Sequence, residues 1–144
     1  MVICCDTSFL YSLYGNDVHS VRAVSWLAQL QNPITLSPYN PFEFGNALRF
    51  AEFRKAIKPG EAAMYAAQFE AAIRQGRLLK AVCNLADALD EATRLSATHT
   101  LTGGHRGFDV LHVAAALVLG ADEFLTFDAN QQKLAEAEGL VVPL

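Results

Sequence analysis

The sequence predicts an α/β fold, namely a three-layer α/β/α sandwich around a mostly parallel central sheet of about five strands. Two observations lead to this prediction. Short apolar runs alternate with longer segments of helical periodicity along the whole chain, a pattern typical of parallel sheets that helices cover on both faces. Two of the apolar runs also stop abruptly at an aspartate, Asp6 and Asp128, where the carboxyl edge of such a sheet would lie.

Composition favours a single domain over residues 1–144. With 52% hydrophobic residues, a chain of 144 residues is long enough to fill one core. No apolar stretch reaches the ~18 to 20 residues of a membrane span, and the first residues lack the basic region of a signal peptide. Cys4 and Cys5 would point to opposite faces of a strand, so we expect reduced thiols. A soluble cytoplasmic protein without membrane contacts is expected.

The formal charge of −4 argues against a protein that coats nucleic acid by bulk electrostatics, because that affinity comes from excess lysine and arginine. Basic residues do cluster in the middle of the chain, at Arg49, Arg54, Lys55 and Lys58. They could form a local face for a phosphate backbone or an ordinary solvated helix surface. The second interpretation is the simpler one for any single residue.

The first predicted strand is Val2–Cys5, an apolar run that is too short for a helix and suits a strand buried on both faces. Asp6 follows it at the edge where open α/β sheets bind ligands, or else is a simple turn residue. Thr7 and Ser8 are expected to cap a short helix that ends at Gly15.

Two helices and a strand are predicted next. His19–Gln31 has helical periodicity and is followed by a proline that ends it. Ile34–Ser37 is a short strand, and Asn40 and Pro41 suit the N-cap and first position of a helix that runs to about Lys55. The apolar residues at helical spacing in these two helices are Val21, Val24, Leu27, Ala28 and Leu30, and Phe44, Ala47, Leu48 and Ala51.

Glu43 lies three residues after Asn40, a spacing that resembles a capping box in which the glutamate side chain returns to the amide of the capping residue. Taken alone, this structural interpretation is stronger than a catalytic one.

The alternation continues in the second half of the chain. A helix is predicted from Pro59 to Gly76, a strand at Leu78–Val82, and a helix that begins at Asn84 and frays over residues 98–104. The apolar residues expected inside these helices are Ala62, Tyr65, Ala66, Phe69, Ala72 and Ile73, and Leu85, Ala88, Leu89, Ala92 and Leu95.

The segment Gly107–Gly120 is almost wholly apolar and predicts a helix buried on most sides. Only Asp109 and His112 interrupt it. Because a buried carboxylate must be compensated, Asp109 is interpreted either as a helix cap or as the ligand of a cation. His112 could transfer a proton one helical turn from Asp109, but a single histidine on a buried helix is more often a core residue.

The remaining predicted elements are a strand at Phe124–Phe127 that stops at Asp128, a short helix closed by Gly139, and a strand at Leu140–Val142.

Four carboxylates are thereby expected at one edge of the sheet. Asp6 and Asp128 end strands, and Glu43 and Asp109 lie near the starts of helices at the same edge. Without a cation these groups would raise one another's pKa values, whereas Mg²⁺ or Mn²⁺ would turn the repulsion into coordination. No cluster of cysteine and histidine suggests zinc instead.

The sequence around these acids resembles the PIN-domain ribonucleases, particularly the VapC-type toxins of bacterial toxin–antitoxin pairs. Asp6 in CCDTSFL, Glu43 in NPFEFGNAL, Asp109 in GFDVLHVAAALVLGA and Asp128 in FLTFDANQQKLAEAEGL match the four acidic positions in order and spacing. The match spans essentially the whole chain, and its two C-terminal motifs are the specific part. The resemblance implies a PIN-like sandwich, a Mg²⁺ site in which Mn²⁺ can substitute, endonucleolytic cleavage of RNA, a cognate antitoxin and a homodimer.

On this interpretation all four acids are catalytic residues and metal ligands that activate water for in-line attack on phosphorus. Thr7 and Ser8 are candidates for orienting the first acid, Thr126 for supporting the last, and Arg106 for contacting RNA phosphate or balancing the acids. Capping or core roles fit the three hydroxyls equally.

Other phosphate-handling folds fit less well. A phosphotransferase of the haloacid dehalogenase type needs an aspartate where Ser8 stands, and a response-regulator receiver needs one where the third strand leads into Cys83. The alternative from a different class is a catalytically silent PIN-like module that binds a protein partner through its exposed helices.

Overall fold

The computed structural model describes residues 1–144 and contains a parallel sheet with helices on both faces, which confirms the predicted α/β fold. Its strands are β1 (Ile3–Cys5), β2 (Ile34–Leu36), β3 (Leu78–Lys80) and β4 (Glu123–Leu125), in the spatial order β3-β2-β1-β4. Its helices are α1 (Thr7–Tyr14), α2 (Ser20–Leu27), α3 (Tyr39–Phe53), α4 (Glu61–Arg74), α5 (Leu85–Leu95), α6 (Leu101–Gly103), α7 (Gly107–Val118) and α8 (Ala129–Ala137).

The sheet has four strands rather than about five. The segment Leu140–Val142, predicted as a strand, contributes only a single parallel bridge between Val141 and Glu123. Val141 is exposed, and Pro143 has no N–H with which to extend the pairing. This segment therefore ends at the edge of the sheet without forming a strand.

Strand β1 lies in the middle of the molecule, because Ile3 is paired with Ile34 on one side and with Glu123 on the other. It is buried on both faces: Cys5 belongs to one core cluster and Cys4 to the other. The period of two along a strand explains why these neighbours enter different layers. Both thiols are free, as the sequence analysis expected.

The two clusters form the layers of the sandwich. The first packs α1, α3 and α4 against the sheet, and the second packs α5, α7 and α8 against its other face. Burial of one large apolar side chain stabilises the fold by about 1.5–3 kcal/mol, so each layer contributes through many such residues. Representative buried residues are Phe9, Leu48 and Phe69 in the first layer and Leu95, Val113 and Leu134 in the second.

Helix α2 presents a different face to the core from the one its apolar residues suggest. Val21 is 82% exposed and Val24 is also exposed, whereas Ala23 is fully buried. Trp26 determines this orientation, because its ring packs edge-on against Phe9 with the centroids 6.1 Å apart. Leu85 and Leu89 of α5, expected inside, are likewise exposed.

Two predicted helix caps are wrong. Asp6, not Thr7 or Ser8, is the N-cap of α1, since its Oδ1 accepts a hydrogen bond from the Phe9 amide at 2.8 Å. Helix α3 begins at Tyr39, before Asn40, whose side chain instead accepts from the Ser37 amide and donates to the carbonyl of Cys5. Asn40 thus joins the start of α3 to the end of β1.

The segment predicted to fray after α5 is helical. A π-helical stretch, Ser96–Thr100, continues α5 into α6, and Gly104 ends the run with a φ of 66°, where a side chain would be strained. None of the helices combines the length and the apolar character needed to cross a bilayer.

The orientation of α2 can be tested with two equivalent substitutions on one helix. Ala23→Asp should lower the free energy of unfolding by about 3 kcal/mol or more, because it buries an unpaired carboxylate. Val21→Asp is the matched control and should change it by less than about 0.5 kcal/mol, because Val21 faces water. Urea unfolding measures both values, and equal losses would contradict the observed orientation.

Candidate functional site

Asp6 lies directly after β1 and is only 4% exposed. Its Oδ1 caps α1, while its Oδ2 accepts hydrogen bonds from Ser8 Oγ at 2.5 Å and from Thr126 Oγ1 at 3.1 Å. Ser8 therefore fixes the orientation of the Asp6 carboxylate, which is one of the two roles considered for Ser8. The other role, capping of α1, is performed by Asp6 itself.

Burial is the main influence on the ionisation of Asp6. It raises the pKa from 3.8 to about 6, against the opposing effect of the hydrogen bonds from Ser8 and the Phe9 amide. These hydrogen bonds thus only partly compensate the lost hydration. A nearby cation would complete the compensation.

Glu43 extends from the second turn of α3 toward α7. Its Oε2 accepts a hydrogen bond from Thr7 Oγ1 at 3.1 Å and lies 2.5 Å from Nε2 of His112. Burial raises the pKa of Glu43, but the hydrogen bond and charge of His112, with Thr7, outweigh burial and hold the pKa below its ordinary value. The amide of Asn40 is bonded to Ser37 instead, so the capping-box interpretation of Glu43 is wrong.

His112 is buried, as expected for a core histidine, but it also contacts a site residue. Its Nδ1 is buried without a hydrogen-bond partner, whereas Nε2 faces Glu43 and Thr7. Because its partner is a carboxylate, Nε2 carries a hydrogen and donates it to Glu43. The sequence identified His112 as a polar residue on a buried helix. It could not identify its partner Glu43, which lies 69 residues away in the chain.

Asp109 and Asp128 share a cation. Arg106 Nε donates to Asp109 Oδ2 at 3.0 Å, and its Nη2 lies 3.8 Å from Asp128 Oδ2. Asp128 is the N-cap of α8 through Oδ1. Asp109 lies in the first turn of α7 and receives no capping hydrogen bond, so the helix-cap interpretation of Asp109 is wrong. Two roles were considered for Arg106. The structure shows one of them, because the guanidinium pairs with two of the acids.

Thr126 and Gln131 connect the acids to one another. Thr126 Oγ1 accepts from the Asp128 amide at 3.0 Å, and its hydroxyl faces both Asp6 Oδ2 and Gln131 Oε1. Gln131 Nε2 then donates to the carbonyl of Asp109. The sequence analysis overlooked Gln131. Its position three residues after a capping aspartate, as in a capping box, was the available signal.

The four acids therefore lie at one edge of the sheet. Hydrogen bonds and ion pairs connect Asp6, Asp109 and Asp128, whereas Glu43 is bonded to Thr7 and His112. No three Asp, Glu, His or Cys side chains, however, are grouped closely enough to hold a common metal ion. Arg106 and His112 occupy the positions beside three of the acids. The donor set fits Mg²⁺ or Mn²⁺, since it consists of carboxylate oxygens with hydroxyls close by.

Comparison with known families agrees with this arrangement. Residues 3–137 match the PIN domain, the family that the acidic motifs resemble. No curated protein matches the chain.

Several solved structures share the fold. VapC20 of Mycobacterium tuberculosis, a sarcin–ricin loop cleaving toxin, has a TM-score of 0.68 and 21% identity over 96% of each chain. VapBC2 of Rickettsia felis, bound to a promoter DNA fragment, has a TM-score of 0.65 and 14% identity over 99% of this chain and 97% of that one. FitAcB of Neisseria gonorrhoeae has a TM-score of 0.64 and 16% identity over 98% and 96%.

The cost of burying Asp6 can be measured through the pH dependence of stability. Because its folded pKa of about 6 exceeds 3.8, Asp6 contributes stability below about pH 4 that is lost as the pH rises through about 6. The free energy of unfolding of Asp6→Asn minus that of the wild type should therefore increase by about 2.5 kcal/mol from about pH 4 to pH 7 in metal-free buffer. Urea unfolding at each pH gives this difference.

Asp90→Asn is the matched control, because Asp90 is exposed on α5 and its carboxylate stays in water on folding. As a substitution on the exposed surface, it should change the free energy of unfolding by less than about 0.5 kcal/mol. A flat profile for Asp6→Asn would contradict the unfavourable burial of Asp6.

The contact between His112 and Glu43 can be tested with two variants of one residue. His112→Leu leaves the half-buried carboxylate with one fewer donor and should lower the free energy of unfolding by about 1–3 kcal/mol. His112→Gln retains an N–H donor and should recover part of this loss. In a Glu43→Gln background the two substitutions should lower the free energy of unfolding by more similar amounts. Equal losses in both backgrounds would show that His112 acts only through packing.

Proposed function

The chain belongs to the PIN domain family, and on that premise we propose that it is a divalent-metal-dependent endoribonuclease, the toxin of a toxin–antitoxin pair. The observation that carries the proposal is the assembly of Asp6, Glu43, Asp109 and Asp128 from four separate segments at one edge of the sheet. Such a group of acids is costly for stability and suits the coordination of Mg²⁺ or Mn²⁺.

Asp6 and Asp109 would hold the metal directly, and Glu43 and Asp128 would hold it directly or through water. A divalent cation at this site supplies Lewis-acid activation of a water for in-line attack on phosphorus and neutralises charge on the reacting phosphate. Ser8 and Thr126 hold the Asp6 carboxylate in place, and Thr7 and His112 hold Glu43.

Three exposed arginines near the acids would bind the substrate backbone. Arg106 lies beside Asp109 and Asp128, and Arg22 lies 5.6 Å from the ring centre of Phe127, the residue before Asp128. Arg54 lies farther along α3 and lines a groove that Glu43 also lines. A polyanion that approaches four carboxylates needs such cations, which act locally although the net charge is −4.

The toxin role and the partners are supported by the structural neighbours. VapC20 is described as a toxin that cleaves the sarcin–ricin loop, and VapBC2 is bound to a promoter DNA fragment. We propose a cognate antitoxin and a homodimer for this chain, with residues 1–144 as one PIN domain. Cleavage of RNA would take place in the cytoplasm.

The experiment that tests the function combines metal binding with RNA cleavage. Wild-type protein should bind Mn²⁺ saturably in calorimetry and cleave RNA when Mn²⁺ is present. Asp6→Asn and Asp109→Asn should each lose metal binding and reduce cleavage by about 10²-fold or more, because each removes a ligand of the ion that activates water. Thermal melting checks that both variants remain folded.

Asp90→Asn again serves as the control and should bind Mn²⁺ and cleave RNA like the wild type. If neither the wild type nor the control binds Mn²⁺ or cleaves RNA, the catalytically silent protein-binding module becomes the better description.

A further inference from the structure

The guanidinium of Arg106 spans two acids of the proposed metal site. Its Nε donates a hydrogen bond to Asp109 Oδ2 at 3.0 Å, and its Nη2 lies 3.8 Å from Asp128 Oδ2. These carboxylates come from different segments, the first turn of α7 and the N-cap of α8. One positive charge thus lies between two negative charges, which is also what a divalent cation held by these two acids would do.

The oxygens that face Arg106 are those that the backbone does not use. Asp128 Oδ1 accepts hydrogen bonds from the amides of Asn130 and Gln131, so Oδ2 is the oxygen left for a cation. Asp109 Oδ2 is hydrogen-bonded to Arg106 and caps no amide. Two positive charges at the same pair of oxygens repel each other. Arg106 and a divalent cation are therefore competitors for these atoms.

The backbone that leads to Arg106 is held in place, whereas its side chain is held only by the acids. The ring of His105 lies over Gly103, where a side chain would collide with it, and its Nδ1 is 3.2 Å from Nδ2 of Asn130. Gly104 turns the chain with a φ of 66°. The side chain of Arg106 is 80% exposed, and its polar contacts are those with Asp109 and Asp128. It can leave both carboxylates by a change of rotamer, without movement of the fold.

We propose that Arg106 is an internal competitor of the metal ion, which pairs with Asp109 and Asp128 when no metal is bound and is displaced by a divalent cation. The inference rests on the metal-dependent function proposed above and adds regulation of the same site. The pairing offsets repulsion among the acids in the metal-free protein and raises the metal concentration that fills the site. The displaced guanidinium remains tethered beside the acids and is then free to bind an RNA phosphate.

The displacement can be observed in the side-chain N–H signals of arginine in proton–nitrogen correlation spectra. Mg²⁺ is the probe because it is diamagnetic, and the Nε–H signal of Arg106 is assigned by its loss in Arg106→Lys. Saturating Mg²⁺ should move this signal to the position of a solvated arginine, because the hydrogen bond to Asp109 is lost. A signal that stays in place while calorimetry shows bound Mg²⁺ would contradict the proposal.

Arg94 is the internal control in the same spectra. Its Nε donates to both carboxylate oxygens of Glu91 at 3.1 Å, outside the group of four acids. Its signal should therefore not move when Mg²⁺ is added.

A second test measures the competition as an affinity. Arg106→Gln removes the positive charge and should tighten binding of Mn²⁺ in calorimetry by about 2- to 10-fold, the range expected when one or two exposed ion pairs no longer have to be broken. By linkage, added Mn²⁺ should raise the melting temperature of Arg106→Gln more than that of the wild type. Arg74→Gln is the matched control, because Arg74 is an exposed arginine at the end of α4, and it should bind Mn²⁺ like the wild type.

The outcomes distinguish this proposal from the proposed function. If the wild type binds Mn²⁺ and cleaves RNA but Arg106→Gln binds Mn²⁺ no more tightly, Arg106 is not a competitor and the ribonuclease function stands. Weaker binding by Arg106→Gln would show that Arg106 holds the acids in place for the metal, which also overturns the proposal. If neither the wild type nor Arg106→Gln binds Mn²⁺, the metal-dependent function fails and the competition fails with it.

Discussion

The architecture of the site depends on one carboxylate that the fold removes from water. Asp6 follows the central strand β1 and caps α1, so the backbone at this point could not change without breaking both elements. Burial raises its pKa to about 6 although three hydrogen bonds support the charge. The other acids, the hydroxyls and the cations are arranged around this partly compensated charge. Such an arrangement is expected at a functional site, where residues needed for function often reduce the stability of the fold.

Two side chains, those of Arg106 and His112, are paired with three of the acids. Arg106 lies between Asp109 and Asp128, and His112 is bonded to Glu43. These pairings offset part of the repulsion among the acids that the fold brings together. No three of these side chains are grouped closely enough to hold a common ion, and Asp109 and Asp128 are directed at the same guanidinium. The proposed metal ion would compete with Arg106 for the carboxylates of Asp109 and Asp128.

The sequence predicted the kinds and order of the elements because buried strands and helices leave periodic signals within a few residues. It could not predict which side of α2 faces the core, since Trp26 packs against Phe9, a residue of another helix. The candidate acids were visible because each ends a strand or begins a helix. Their partners were not, because the contact of Glu43 with His112 joins residues far apart in the chain.

The position of β1 in the sheet has a consequence for biosynthesis. Asp6 is synthesised well before the strand that flanks it and the Thr126 hydroxyl that supports it, which belong to residues 120 positions later. A nascent chain on the ribosome therefore lacks one side of its own acidic site until the last segments have emerged, because contacts of this sequence separation form only when both partners are free to meet.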